Sequence, residues 1–200
     1  MQKAWFYNEY GSIDVLQFGE FPVPKPGPGE ILLKIRAAAL NPVDYKKREG
    51  LFRSADCDFP AVPGCDAAGV VVEVGDGVSK LKIGDEVYSD IQHFTAGRPK
   101  QLRTLAQYTV VEESAKSHVV AKEEAKVLDI ASFQPHPRAE FFLVSPSGHN
   151  LEKLQPYIES EKLKPVIDPK SPYSFSDVIE AFKHQESGRA RGKIVISPIE

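Results

Sequence analysis

The stretch PAVPGCDAAGVVVEVGDGVSKLKIGDEVYSD, residues 60–90, decides the architecture. Gly69-Val70-Val71-Val72-Glu73-Val74-Gly75 is a run of β-branched residues closed by Gly75-Asp76-Gly77. β-Branched side chains suit a pleated surface, and the glycine-aspartate cluster supplies a turn. Ile83-Gly84-Asp85 repeats the turn and feeds a second short run, Glu86-Val87-Tyr88. Gly64, Gly69, Gly75 and Gly84 are expected at strand ends, where the backbone turns tightly or takes positive φ.

Working outward, the same texture holds over residues 1–112. The chain enters a strand-like pattern from its first residues, and Glu30 to Ala37 is a β-prone run after the turn cluster Pro26-Gly27-Pro28-Gly29. Leu105 to Val111 is another. Strands this short, at such regular turn spacing, predict a small barrel rather than a parallel sheet. Between them, Asn41-Pro42-Val43-Asp44 reads as a helix start, with Asn as cap and Pro at the first helical position. Gly50 is placed to stop that helix.

From Glu113 the pattern changes. Val127 to Ala131 is strand-like, and Gln134-Pro135-His136-Pro137-Arg138 is a loop. Leu151, Leu154, Tyr157 and Ile158 recur at helical spacing, as do Val178, Ile179 and Phe182. Ser176 is the expected cap of the second helix and Gly188 its stop. Gly192 to Ser197 is a final strand.

The 200 residues carry a formal net charge of −3, which provides no electrostatic footprint for nucleic acid or an anionic membrane. The basic run Arg98 to Arg103 contains a proline and reads as a solvated loop. Cys57 and Cys65 make neither a disulfide framework nor a C-x-x-C pair, which points to a reducing compartment. No apolar run approaches the ~20 residues of a membrane span. Without a legible signal or transit segment, the expected location is cytoplasmic, with the chloroplast as the alternative.

Three groups of motifs carry a resemblance. They are Asn41-Pro42-Val43-Asp44-Tyr45-Lys46 with Pro63-Gly64-Cys65-Asp66-Ala67-Ala68-Gly69-Val70-Val71 and Gly84-Asp85-Glu86-Val87-Tyr88; then Leu151 to Ser160; then Lys164-Pro165-Val166-Ile167-Asp168-Pro169 and Gly192-Lys193-Ile194-Val195-Ile196. Together they resemble the medium-chain dehydrogenase/reductase superfamily. The branch they look most like is the zinc-free quinone oxidoreductases, and within it the plant alkenal/enone reductases.

That resemblance implies a mixed α and β fold: a GroES-like β-barrel catalytic domain with a truncated remnant of a Rossmann-type domain. Its expected divisions are residues 1–118 for the barrel, 119–160 for the remnant, and 161–200 for a helix and strand returning to the barrel. It further implies NADPH-dependent reduction of the C=C bond of an α,β-unsaturated carbonyl or of a quinone, and a homodimer. By the same resemblance Lys46 faces the NADP site, and Arg189, Ala190, Arg191, Gly192 and Lys193 lie near the cofactor. Ile130, Phe142 and Leu143 line the nicotinamide pocket, and Asn41, Asp44 and Phe52 the substrate pocket. Bland readings stand beside these: an exposed helix lysine, a basic turn, and apolar core residues. No catalytic residue is assigned. The positions that hold zinc ligands in zinc-dependent relatives carry Asn41 to Asp44 and Gly64-Cys65-Asp66, a set that does not supply about three converging ligands. No metal is expected.

One family feature is missing. No G-x-G-x-x-G and no G-x-x-x-x-G-K-[ST] occurs anywhere in the 200 residues. The interval from Glu113 to Val127 is shorter than the ~30 residues of even one βαβ unit. NADPH binding is therefore expected to be weak or lost. The alternative is a non-catalytic truncated or alternatively spliced form, acting as a binding or dimer-interfering module. Residues 127–131 and 151–160 would then be the last strand and helix of a domain whose sheet is gone.

Overall fold

A computed structural model describes residues 1–53, 58–91, 103–113 and 146–200, with short strands at 116–117, 127–129 and 139–141. In chain order the strands and helices are β1 (Gln2–Phe6), β2 (Gln17–Phe21), β3 (Glu30–Leu40), α1 (Pro42–Arg48), β4 (Asp66–Val74), β5 (Glu86–Asp90) and β6 (Tyr108–Glu112). Then follow β7 (Lys116–Ser117), β8 (Val127–Asp129), β9 (Ala139–Phe141), β10 (Pro146–Ser147), α2 (Gly148–Glu159), α3 (Val178–Glu186) and β11 (Ile194–Ile196). This is the mixed helix and sheet fold expected, and none of the helices is long and apolar enough to cross a membrane among the described residues.

β3 is the axis of a five-stranded antiparallel sheet. Along one edge it pairs with β4, from Ile31↔Val74 to Ala39↔Asp66. The other edge is shared: β6 takes its first half (Lys34↔Tyr108) and β11 its last three residues (Ile194↔Leu40). β3 runs past the expected Ala37 because β4 and β11 pair with its last residues; pairing overrides the weak strand preference of alanine. The segment Leu105–Ala106, expected in the same strand as β6, instead bonds to β1 through Ala4↔Ala106 and the Trp5 amide on the Leu105 carbonyl at 2.9 Å. The β1–β2 hairpin is thereby laid against the sheet.

The core runs through the N- and C-terminal parts together. Ala4, Trp5, Leu33, Ile35, Leu40 and Val71 share one buried cluster with Phe175, Val178, Phe182, Ile194, Ile196 and Ile199. The Trp5 indole N–H donates to the Phe175 carbonyl at 2.7 Å, a buried bond between residues 170 apart. Because that carbonyl anchors the turn, residues 175–177 form one 3-10 turn, and α3 starts at Val178 after Asp177 rather than after Ser176. Arg48, fully buried at the end of α1, ties the helices together: its guanidinium donates to Glu186 at 2.8 Å and to the Gly11 carbonyl at 3.2 Å.

Of the four turn glycines, Gly64 and Gly84 do take positive φ, at 101° and 94°. Gly69 lies inside β4, so its expected place at a strand end is corrected. Gly75 serves close approach: a Cβ there would sit 1.9 Å from the Gly27 carbonyl oxygen. The helix read from Leu151 to Ser160 is present as α2, and its Tyr157 and Ile158 are 56% and 42% exposed.

Two stability outcomes follow. Trp5→Phe strands the buried Phe175 carbonyl and should cost about 1–3 kcal/mol. Gly75→Ala should cost a similar ~1–3 kcal/mol through overpacking, and either change should lower the thermal midpoint by roughly 3–10 °C. Differential scanning calorimetry reads both; a midpoint unchanged by Gly75→Ala would contradict the close approach.

Candidate functional site

The register of β3 assembles the site at its Asn41 end. β11 pairs Ile194 with Leu40, so the preceding residue, Lys193, falls opposite Asn41 on one side. On the other side β4 begins with Asp66 opposite Ala39. The three side chains meet. The Asn41 amide donates to Asp66 at 2.9 Å, the Lys193 ammonium lies 2.7 Å from Asp66, and it also donates to the Asn41 amide oxygen. Lys193 and Asp66 remain 34% and 33% exposed, so this small network is open to solvent and to a ligand.

Asn41 also begins α1. Asp44, three residues on, reaches back to accept the Asn41 backbone N–H at 2.7 Å, which is one half of a capping box. Asp44 is buried at 2% exposure, and the Cys65 thiol donates to its other oxygen at 3.4 Å. Burial pushes the Asp44 carboxyl up to about 6, against the opposing pull of the Asn41 and Cys65 bonds. Burial also drives the Cys65 thiol well above its usual range, with the Asp44 charge adding to it. Arg103 completes this layer, its guanidinium 3.9 Å from the Cys65 sulfur. Expected within a solvated loop, Arg103 is instead buried at 5% exposure, because it supplies the cation beside Asp44 and Cys65.

The remaining expected residues are placed unevenly. Lys46 and Phe52 are half-buried, on α1 and shortly after it. Arg189 and Arg191 are exposed in the loop after α3, Ala190 packs against the core, and Gly192 is half-buried. Ile130, Phe142 and Leu143 lie outside the described residues. So the structure brings Asn41, Asp44 and Lys193 together with Asp66 and Cys65, and leaves Arg189 and Arg191 on the surface. Asp66 as the partner of Lys193 was not read as a site residue; the register of β4 and β11 on β3 is what reveals it. Among the described residues no three His, Cys, Asp or Glu side chains converge as metal ligands would.

The segment carrying Lys193 has its own anchor. Asp168, buried at 3% exposure, accepts the Arg191 backbone N–H at 2.7 Å and that of Lys170 at 2.9 Å, and lies 3.2 Å from His184 Nε2. Those two N–H donors, then His184, hold its carboxyl down at about 2.

The Asp44 shift gives a pH dependence. Its folded pKa exceeds the ordinary carboxylate value, so the folded state binds the extra proton and stability falls as pH rises from about 4 through 6. Asp44→Asn removes that slope. Its stability relative to the natural chain should rise between pH 4 and pH 8 by up to about 3 kcal/mol. Urea midpoints at pH 4, 6 and 8 read this; a constant difference would contradict it.

With this geometry in place, comparison with known proteins locates the chain. The model of the alcohol dehydrogenase GroES-like domain matches residues 27–124. A 2-methylene-furan-3-one reductase of Solanum lycopersicum is 33% identical, covering 98% of this chain and 79% of its own length. An NADPH-dependent alkenal/one oxidoreductase, chloroplastic, of Arabidopsis thaliana is 32% identical, covering 98% of this chain and 80% of its own. These alignments extend over 307 and 308 positions against 200 residues, so part of each relative stands opposite a gap. The solved quinone oxidoreductase from Coxiella burnetii has the same fold at a TM-score of 0.78 and 18% identity, covering 99% of both chains. From the barrel-type sheet ordered on β3 and from relatives aligned along nearly its whole length, the chain belongs to the medium-chain dehydrogenase/reductase superfamily, in the branch of quinone and alkenal/enone oxidoreductases.

Proposed function

We propose that this chain is the barrel half of an NADPH-dependent reductase of α,β-unsaturated carbonyls or quinones, and that its affinity for the nucleotide is strongly lowered. The observation that carries the first part is the network of Asn41, Asp66 and Lys193, built on an edge that stays partly open. In this reading Asn41, Lys193, Lys46 and Phe52 form the wall that a flat carbonyl substrate and a nicotinamide ring would share. Asp44 stays behind it, setting the entry of α1. The relatives named for alkenal/one and furanone reduction support the substrate class.

The second part rests on the absence of a glycine-rich βα turn. A dinucleotide is held chiefly by backbone N–H groups and a helix N-terminus at its pyrophosphate. The described residues do not fit that requirement. Among them Gly75 is occupied by close packing against Gly27, and Gly64 and Gly84 turn between barrel strands. What this chain's own residues would supply is orientation: an ammonium and an amide held together at the partly exposed edge of the sheet. The divisions at residues 1–118, 119–160 and 161–200 belong to the same reading, as does the absence of zinc, since Asp44 and Cys65 bond to each other. The relatives named as chloroplastic support the chloroplast as the compartment to examine by fractionation.

Losing several charge-assisted bonds, each worth ~1.5–3 kcal/mol, weakens binding by more than ~10³. Calorimetric titration should give a millimolar NADPH dissociation constant. Mixing the chain with NADPH and a reactive small enone should give no saturable loss of absorbance from the reduced nicotinamide. Saturable consumption abolished by Lys46→Ala would show a working site on the barrel and overturn the lowered affinity. Undetectable binding of both NADPH and enone would favour the non-catalytic binding module, for which the missing turn is the supporting observation.

A further inference from the structure

We infer that Asp168 is a positioning residue: it fixes the segment from which Lys193 extends to Asn41 and Asp66. Lys193 stands just outside β11, which begins at Ile194, and forms a parallel bridge with Ile167 instead. Its backbone is held at three points. The Lys193 N–H donates to the Val166 carbonyl at 2.8 Å, and the Lys193 carbonyl accepts the Asp168 N–H at 3.1 Å. The third point is Arg191, whose N–H donates to the Asp168 carboxylate at 2.7 Å.

The carboxylate itself is fixed from two further sides. Its second oxygen accepts the Lys170 N–H at 2.9 Å, and the His184 ring of α3 lies 3.2 Å from the first. The Tyr173 ring, 6.4 Å from that of His184, packs on the same side. A lysine side chain is long and flexible, and its ammonium holds a defined place only when the root of the chain does. At the tip, Lys193 is engaged by Asn41 and Asp66; at the root, Asp168 determines where the tip can reach. An alanine at 168 would remove the acceptor that the part-buried Arg191 and Lys170 N–H groups share and would free the Arg191–Lys193 segment. Asp168 meets the proposed substrate wall only at the Lys193 backbone, away from the ammonium, so it acts through Lys193. Its relevance to catalysis rests on the reading of the Asn41 edge under Proposed function.

The test is the ammonium signal of Lys193 in protein labelled with ¹⁵N-lysine, observed by NMR at low temperature and assigned with Lys193→Met. The natural chain should show a protected ammonium cross-peak, because Asn41 and Asp66 both hold it. Asp168→Ala should abolish that peak, and the isosteric Asp168→Asn, which keeps one acceptor, should shift it by a smaller amount. Trp5→Phe, destabilised at a distance, should leave it in place and so separates positioning from general loss of stability. If Asp168→Ala does not fold, Asp168→Asn against Trp5→Phe decides. A natural chain without the protected peak, or Asp168 variants that leave it unchanged, would overturn the inference. Adding millimolar NADP⁺ or cyclohex-2-enone to the natural chain tests the other reading separately: an undisturbed Lys193 peak counts against the substrate wall and leaves the role of Asp168 standing.

Discussion

β3 is hydrogen-bonded along both edges, and its register is therefore held from two sides at once. β4 fixes it at eight paired positions on one edge, while β6 and β11 divide the other. A slip of one residue would turn Leu33 and Ile35 out of the core and bring their neighbours in. The same slip would separate Asn41 from Lys193, 152 residues away in the chain, and from Asp66, 25 residues away. Core and candidate site thus depend on one alignment. The hydrophobic effect enforces it for the first, and the second inherits it without cost of its own.

Behind that edge the structure tolerates an unusual amount of buried polarity. Asp44, Lys47, Arg48, Arg103 and Asp168 are each at most 5% exposed. Charged groups withdrawn from water are destabilising unless partners replace the lost hydration. Here the partners come largely from distant elements: Arg48 donates through Nη1 to Glu186 on α3 and through Nε to the Gly11 carbonyl, with the Phe182 ring 5.6 Å below its guanidinium. Asp44 remains the least comfortable of the group, which is why its carboxyl is the one pushed up. The arrangement pins α1 from beneath, and α1 carries both Asn41 at its start and Lys46 on its length.

How much of this was legible in the sequence depended on range. Local rules served well where the signal was local: the valine run became β4, Asn41-Pro42 opened α1, and the spacing of Val178 and Phe182 became α3. β2 carries Gly19 and two exposed positions at its start, so it showed no strand pattern, and it exists because β1 pairs with it from Gln2↔Phe21 to Phe6↔Gln17. Arg103 looked solvated because nothing near it in sequence announces Asp44 and Cys65 as its neighbours. Of the candidate site, the resemblance singled out Asn41, Asp44 and Lys193, and these do meet. Asp66 as their partner and Asp168 as the anchor of the segment required the pairing of strands that no window of residues contains.

The bond from the Trp5 indole to the Phe175 carbonyl has a consequence for how the molecule comes to be folded. The first strand cannot finish burying its tryptophan until Phe175 has been made, and β3 cannot complete its second edge until Ile196 has. Contacts of such long range make relative contact order high and folding slow. On the ribosome the sheet would wait, with one edge of β3 half bare, for β11 to emerge. During that interval the exposed edge is the place where a chaperone would have most to protect.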